Sequence, residues 1–197
     1  MMQASNHPNR PKMGTREVPF SRELFIEQDD FLEEAPRKFF RLKPGGEVRL
    51  RSGYIIRWDE VIKNDAGEVV ELHCSYDPDT RSGTGSSERK VKGTIHWVSV
   101  EQAIPVEVRL YDRLFTIPDP TTAADIMDVL NPDSFEAVSA MLEPALAELA
   151  DGEAVQFERL GYFCLDSVDH TADTPVINRI VTLRDSWAKI EKQAMSS

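Results

Sequence analysis

The feature that most limits what this chain can fold into is its period. Apolar and polar residues alternate in short runs, and glycine, proline or aspartate interrupts each run before it can grow long. In "EVRLR" (47–51), Val48 and Leu50 point one way and Arg49 and Arg51 the other, which places two arginines on one solvent-facing surface. "VVELHCSY" (69–76) follows a turn signal at 65–67, so 48–62 and 69–76 are predicted to pair as a hairpin or its longer-looped relative. Further strands are predicted at 91–100, 106–115, 134–142, 154–166 and 175–183. Many short strands separated by turns predict an all-β chain, built as barrels or sandwiches rather than βαβ units. Helices are minor: short pieces are predicted at 29–34, at 121–130 with Thr121 or Thr122 as N-cap, and at 143–150. The polar, glycine-rich stretch 77–89 reads as a mobile loop.

Charge is distributed unevenly. The chain of 197 residues has a formal net charge of −11, yet 37–51 holds six basic residues against one acid, Glu47. From Leu114 to Glu158 there are ten acids and no Lys or Arg. A basic face for a polyanion would produce this pattern, with the acidic stretch limiting nonspecific adhesion. An edge strand blunted by Arg and Lys would produce it too, and charge alone does not separate the two.

Composition, with 41% hydrophobic and 29% charged residues, reads as a soluble globular protein. No apolar run is long enough to span a bilayer and the start "MMQASNHPNRPK" has no apolar core, so a cytoplasmic location without membrane association is predicted. Cys74 and Cys164 sit in apolar surroundings without a CxxC partner and are predicted to be buried free thiols. No Walker-type loop, G-x-S-x-G elbow or HExxH motif is present. The four histidines are scattered, and His96 in "TIHWVSV" fits a hydrogen-bonded histidine in or beside a core strand better than a catalytic one.

Six phrases in order, "NHPNRPKMGTREVPFSRELFIEQDDF", "RLKPGGEVRLRSGY", "KVKGTIHWVS", "PVEVRLYDRLF", "FERLGYFCLD" and "NRIVTLRDSWAK", resemble the C-terminal anticodon-binding region of bacterial-type glutaminyl-tRNA synthetases. The resemblance covers nearly the whole chain and leaves 191–197 as a tail. It implies two β-barrels of a class that includes a ribosomal RNA-binding protein fold: a distal one at 39–115 and a proximal one from 1–38 with 116–190. It also implies that one upstream strand of the proximal barrel, with an anticodon-contacting arginine, is missing, as is the Rossmann domain with its HIGH-like and KMSKS-like signatures. On that reading the chain is noncatalytic by itself and needs no cofactor, ATP belonging to the absent domain. Its partners are the anticodon loop of glutamine tRNA and the catalytic domain of the same synthetase, with no role for DNA.

Residue by residue, the resemblance implies that Arg41 reads the third anticodon base, that Gln156 and Arg159 hold the middle uridine, and that Arg49 and Arg51 lie near the first base. Splayed single-stranded bases are held by stacking and by edge hydrogen bonds, which suits planar Arg forks and the donor and acceptor of Gln156. Lys38 and Phe40 depart from the best-known pattern, which has Gln before the aromatic and Lys before the arginine. Lys38 cannot accept a hydrogen bond, and Phe40 could stack on a base or fill the barrel wall. Arg159 considered alone would better suit a salt bridge within the barrel, with Glu158 or a neighbour. The related archaeal and eukaryotic-type glutamyl-tRNA synthetases, and a stand-alone β-barrel interaction protein, are the competing assignments.

Overall fold

The computed structural model describes residues 1–183, apart from the side chains of 85 and 86; the tail at 191–197 and the last stretch of the expected proximal barrel lie outside the described residues. The chain is mainly β, as its alternation predicts, and its helical segments are single 3-10 turns. It divides into two compact units: Met1–Ala103 with Glu143–Ala145, and Ile104–Leu142 with the chain from Leu146 onward. These units are a different division from the barrels that the resemblance implies, since residues 1–38 belong with the first unit and 104–111 with the second.

The first unit contains strands β1 (Met2–Ser5), β2 (Thr15–Val18), β3 (Leu24–Phe25), β4 (Glu47–Leu50), β5 (Ile55–Lys63), β6 (Val69–Asp77), β7 (Thr94–Ile95) and β8 (Val98–Ser99). They form a four-stranded sheet in the order β6-β5-β4-β7 and two antiparallel pairs, β1-β2 and β3-β8. The predicted 48–62 strand is two strands, because Ser52 takes a left-handed backbone (φ 58°) in the turn after Leu50. Alternation places Val48 and Leu50 in a core with Met2, Leu42, Ile95 and Trp97. Burying each aliphatic side chain of this kind contributes about 1.5–3 kcal/mol. The indole of Trp97 donates to the carbonyl of Arg51 (3.0 Å), so its polar atom enters the core paired.

A polar knot closes this unit. Arg16 and His96 both bond Glu143, with His96 Nε2 3.0 Å from Oε1 and Arg16 Nη2 3.0 Å from the same oxygen. Burial alone would push the Glu143 carboxyl up; the bonds from His96 and Arg16 prevail and lower it to about 2. His96 is therefore a structural histidine between β7 and β8.

The second unit is built on β9 (Ile104–Tyr111), β10 (Phe135–Leu142), β11 (Val155–Phe157), β12 (Gly161–Leu165) and β13 (Val176–Thr182), in the order β10-β9-β13-β12-β11. All pairs are antiparallel except β9 with β13. Val106, Val108, Phe163 and Ile177 form its core, and Phe157 stacks on Phe163 at 4.4 Å.

The predicted helices shrink to turns for a local reason. Asp119 and Asp125 each accept the N–H two residues on, capping Pro120–Thr122 and Ile126–Val129 separately, so neither Thr121 nor Thr122 is the cap. Both cysteines are free, but Cys74 is exposed on β6 and Cys164 half-buried, which corrects the expectation of burial. Among the described residues no helix is long and apolar enough to cross a membrane.

Candidate RNA interface

In the first unit the basic segment forms one wall of a groove of about 580 Å³. Its cationic lining comes from three places in the sequence: Arg37, Arg41 and Lys43; Arg57 on β5; and Lys90 and Lys92. Six cations thus face one acid, Glu47, whose carboxylate is taken by Arg89 at 2.7 Å. Among the described residues, Arg37, Lys43, Lys90 and Lys92 make no ion pair. Arg57, Lys90 and Lys92 were not selected from the sequence. The charge run "ERKVKG" was visible, but nothing in it says that the chain folds back beside Phe40.

Two tight backbone features shape the groove. Gly46 N–H donates to Lys43 O (2.8 Å) across Pro44 and Gly45, and Gly45 has φ 67°, as a Pro-Gly turn of this kind requires. Gly93 lies so close to Phe40 that a Cβ would stand 2.1 Å from the Phe40 carbonyl oxygen. Only glycine lets the two walls meet there.

Arg41 is held from behind. Nη1 donates to the Asp29 carbonyl (2.7 Å), Nε lies 3.4 Å from the carboxylate of fully buried Asp30, and the guanidinium sits 5.9 Å from the Phe39 ring. About a third of the side chain remains exposed, toward the groove. Phe40 is 51% exposed, with Lys92 Nζ 5.8 Å from its ring centre, so it does not fill the core. Lys38 is exposed in the turn before it and does not line the groove.

Arg49 and Arg51 do not share the surface that alternation predicts. Arg51 lies past the end of β4 in the turn and is exposed, while Arg49 reaches beneath 80–89 and donates to main-chain carbonyls there. The loop expected to be mobile is folded into two 3-10 turns, Pro78–Thr80 and Gly85–Glu88. Buried Thr80 anchors the first by accepting from Ile55 N–H (2.9 Å) and donating to Asp77 O (2.6 Å).

The second unit carries its own surface on the β11-β12 hairpin. Val155 and Phe157 pack toward the core and Gln156 points outward, opposite Tyr162. β11 stops at Phe157, and Arg159 occupies the hairpin tip in a left-handed conformation (φ 67°). That break removes the obstacle a regular strand would pose, since residues three apart on one face opposite ways. Tyr162, 41% exposed on the face of Gln156, is a further candidate that sequence reasoning missed. Among the described residues, no cluster of His, Cys, Asp and Glu is arranged to hold a metal.

Comparison with known proteins gives these surfaces a context. Family models described as "tRNA synthetases class I (E and Q), anti-codon binding domain" match residues 1–77 and 94–166. Glutamine–tRNA ligase of Rhodopirellula baltica is 57% identical over 194 residues, covering 97% of this chain and 32% of the relative. The ligase of Vibrio parahaemolyticus is 52% identical over 189 residues (96% and 34%), and that of Escherichia coli O157:H7 51% over 190 (96% and 34%). The chain spans about a third of the length of these relatives. It belongs to the anticodon-binding domain family of the class I (E and Q) tRNA synthetases, in the form carried by glutamine–tRNA ligases.

Proposed function

We propose that this chain binds the anticodon loop of glutamine tRNA, using the groove of the first unit and the β11-β12 hairpin of the second. The observation that carries the reading is the groove itself: six cations and a half-exposed phenylalanine in a protein of net charge −11. Unpaired cations suit phosphates, and an exposed aromatic ring offers a base a stacking face. Arg41 reads the third anticodon base, as the resemblance implies; Asp30 and Asp29 hold the back of its fork, which supports this by leaving the rest toward the groove. Lys38 and Phe40 contribute a phosphate contact and a stacking surface. Gln156 and Arg159 hold the middle uridine, the amide both donating and accepting at a base edge. Arg51 serves the region of the first base, with Arg49 acting from beneath through the 80–89 segment. Each unit supplies one recognition surface, however its strands are assigned to proximal and distal barrels. ATP and glutamine chemistry belongs to the additional length of the relatives, and the chain acts in the cytoplasm joined to that catalytic part.

The test is binding of glutamine tRNA and of a transcript with an altered third anticodon base. Arg41→Ala should cost about 1–3 kcal/mol against the cognate tRNA, as bidentate base contacts do in DNA, and less against the altered one. Arg81→Ala, whose guanidinium bonds the Met1 carbonyl at 2.9 Å, should discriminate little between the two. Equal weakening of both tRNAs by Arg41→Ala would make Arg41 a phosphate contact, and no weakening would return the segment to a blunted edge strand.

A further inference from the structure

Arg49 has an unusual set of partners. Its Nη1 donates to Thr80 O (2.8 Å), with Gly53 O at 3.4 Å and Ser82 Oγ at 3.5 Å; its Nη2 donates to Ser87 O and Arg89 O, both at 3.0 Å. One half-buried guanidinium therefore gathers carbonyls from residues 53, 80, 87 and 89. Its main-chain N–H meanwhile donates to Gly93 O at 2.9 Å. Main chain and side chain of a single residue thus bracket the tripeptide 90–92, one bond on each flank. That tripeptide delivers Lys90 and Lys92 to the groove, both exposed and both without an ion pair among the described residues. A lysine at 49 could keep the charge but not the geometry, since one nitrogen cannot span carbonyls on both sides of a fork.

We propose that Arg49 is a positioning residue for the groove and that Lys90 and Lys92, which it aims, bind the phosphate backbone of the single-stranded RNA whose base stacks on Phe40. The proposal rests on the RNA-binding reading above and assigns the far wall of the same groove. Lys92 Nζ already stands over the Phe40 ring, 5.8 Å from its centre, so the ammonium and the aromatic ring are presented together. The step from sequence to function runs through the fork: its hydrogen bonds set the path of 80–89, and that path sets where two ammonium groups point.

The experiment uses the full chain as wild type, Lys90→Ala/Lys92→Ala, Arg49→Lys and the triple variant. Affinity for a glutamine tRNA transcript is measured at several salt concentrations, and amide hydrogen exchange over 87–93 is followed without RNA. Removing both lysines should flatten the log–log salt slope by about 1.4, two contacts at about 0.7 each. Arg49→Lys, which changes no charge, should flatten it by a similar amount, and the triple variant should be no flatter than either. Exchange at 87–93 should accelerate in Arg49→Lys while the β5 amides hold, which also shows that the variant is folded. An unchanged slope in the double-lysine variant, additive losses in the triple variant, or unchanged exchange in Arg49→Lys would each overturn the proposal. The lysines touch no core, so their variant stays informative even if Arg49→Lys unfolds. If Arg41→Ala discriminates between tRNAs while the lysine slope is unchanged, the RNA-binding reading stands and this inference alone falls. Failure of the wild type to bind would sink both, and the exchange result would still decide the role of Arg49.

Discussion

Arg109 on β9 and Lys43 in the groove carry the same charge and meet opposite fates. Arg109 is tied to three carboxylates: Nε lies 2.8 Å from Glu107, and Nη1 lies 2.6 Å from Asp169 and 3.4 Å from Asp166. Those acids hold its guanidinium more firmly protonated than usual, the Glu107 bond contributing most. Asp166 in turn accepts from the main-chain N–H of Asp169, the Asn178 amide and the N–H of Val168, which lowers its carboxyl to about 2. Lys43, like Arg37, Lys90 and Lys92, has no carboxylate partner among the described residues. The groove lining offers these cations one acid, Glu47, and Arg89 takes its carboxylate at 2.7 Å. The difference separates charge tied into the fold from charge that the fold leaves open.

The largest expected effect falls on the join that makes the groove possible. Gly93→Ala would drive a methyl into the Phe40 carbonyl, so overpacking should lower stability by about 3 kcal/mol and weaken tRNA binding with it. Denaturant melts and binding on the same preparation check both. Unaltered stability would mean that the two walls have room to separate.

Acid titration asks how much a paired group contributes. Glu143 is lowered from its ordinary 4.5 to about 2, so its contribution is complete above about pH 4.5 and disappears as pH falls toward 2. The amount at stake is about 3 kcal/mol, and Glu143→Gln should flatten the acid limb of a stability-against-pH curve. Asp166, on the second unit, is lowered from 3.8 to about 2, within the lower part of that range, and should keep part of that limb in the variant. A curve identical to wild type would remove Glu143 from the account.

The smallest effects draw the comparison most finely. Arg109→Gln should lower the melting temperature and leave the salt dependence of RNA binding unchanged. Lys43→Gln should do the reverse, shifting stability by less than about 0.5 kcal/mol and flattening the salt slope by about 0.7. Exchanged outcomes, or both variants affecting both measurements, would erase the distinction.

Most of the sheet was legible because alternation reports burial directly: Val48 and Leu50 were assigned to the core from period alone, and both are fully buried. The two-residue strand β3 carries too little period to resolve, and the strand predicted at 91–100 is broken into the short β7 and β8. Arg49 shows the limit of the same rule at the site. Alternation states which face a side chain leaves from, and the outward face of β4 is covered by a segment about thirty to forty residues further along the chain. Arg57, Lys90 and Lys92 were missed for a related reason, since a groove gathered from three segments exists only after the chain has closed. The anticodon-region resemblance was legible as six ordered phrases, which no periodic rule could have supplied.

The left-handed backbone at Arg159 has a consequence for sequence change. Such a conformation costs an ordinary residue about 1–2 kcal/mol and costs glycine almost nothing. Under directed evolution for heat resistance alone, the backbone cost favours glycine at position 159, with asparagine the next most tolerated, set against whatever the arginine side chain holds in the fold. Under selection for tRNA it should stay arginine. The two drifts pull against each other at one codon, and the arginine frequency that survives a mixed selection would measure how strongly recognition is favoured over robustness.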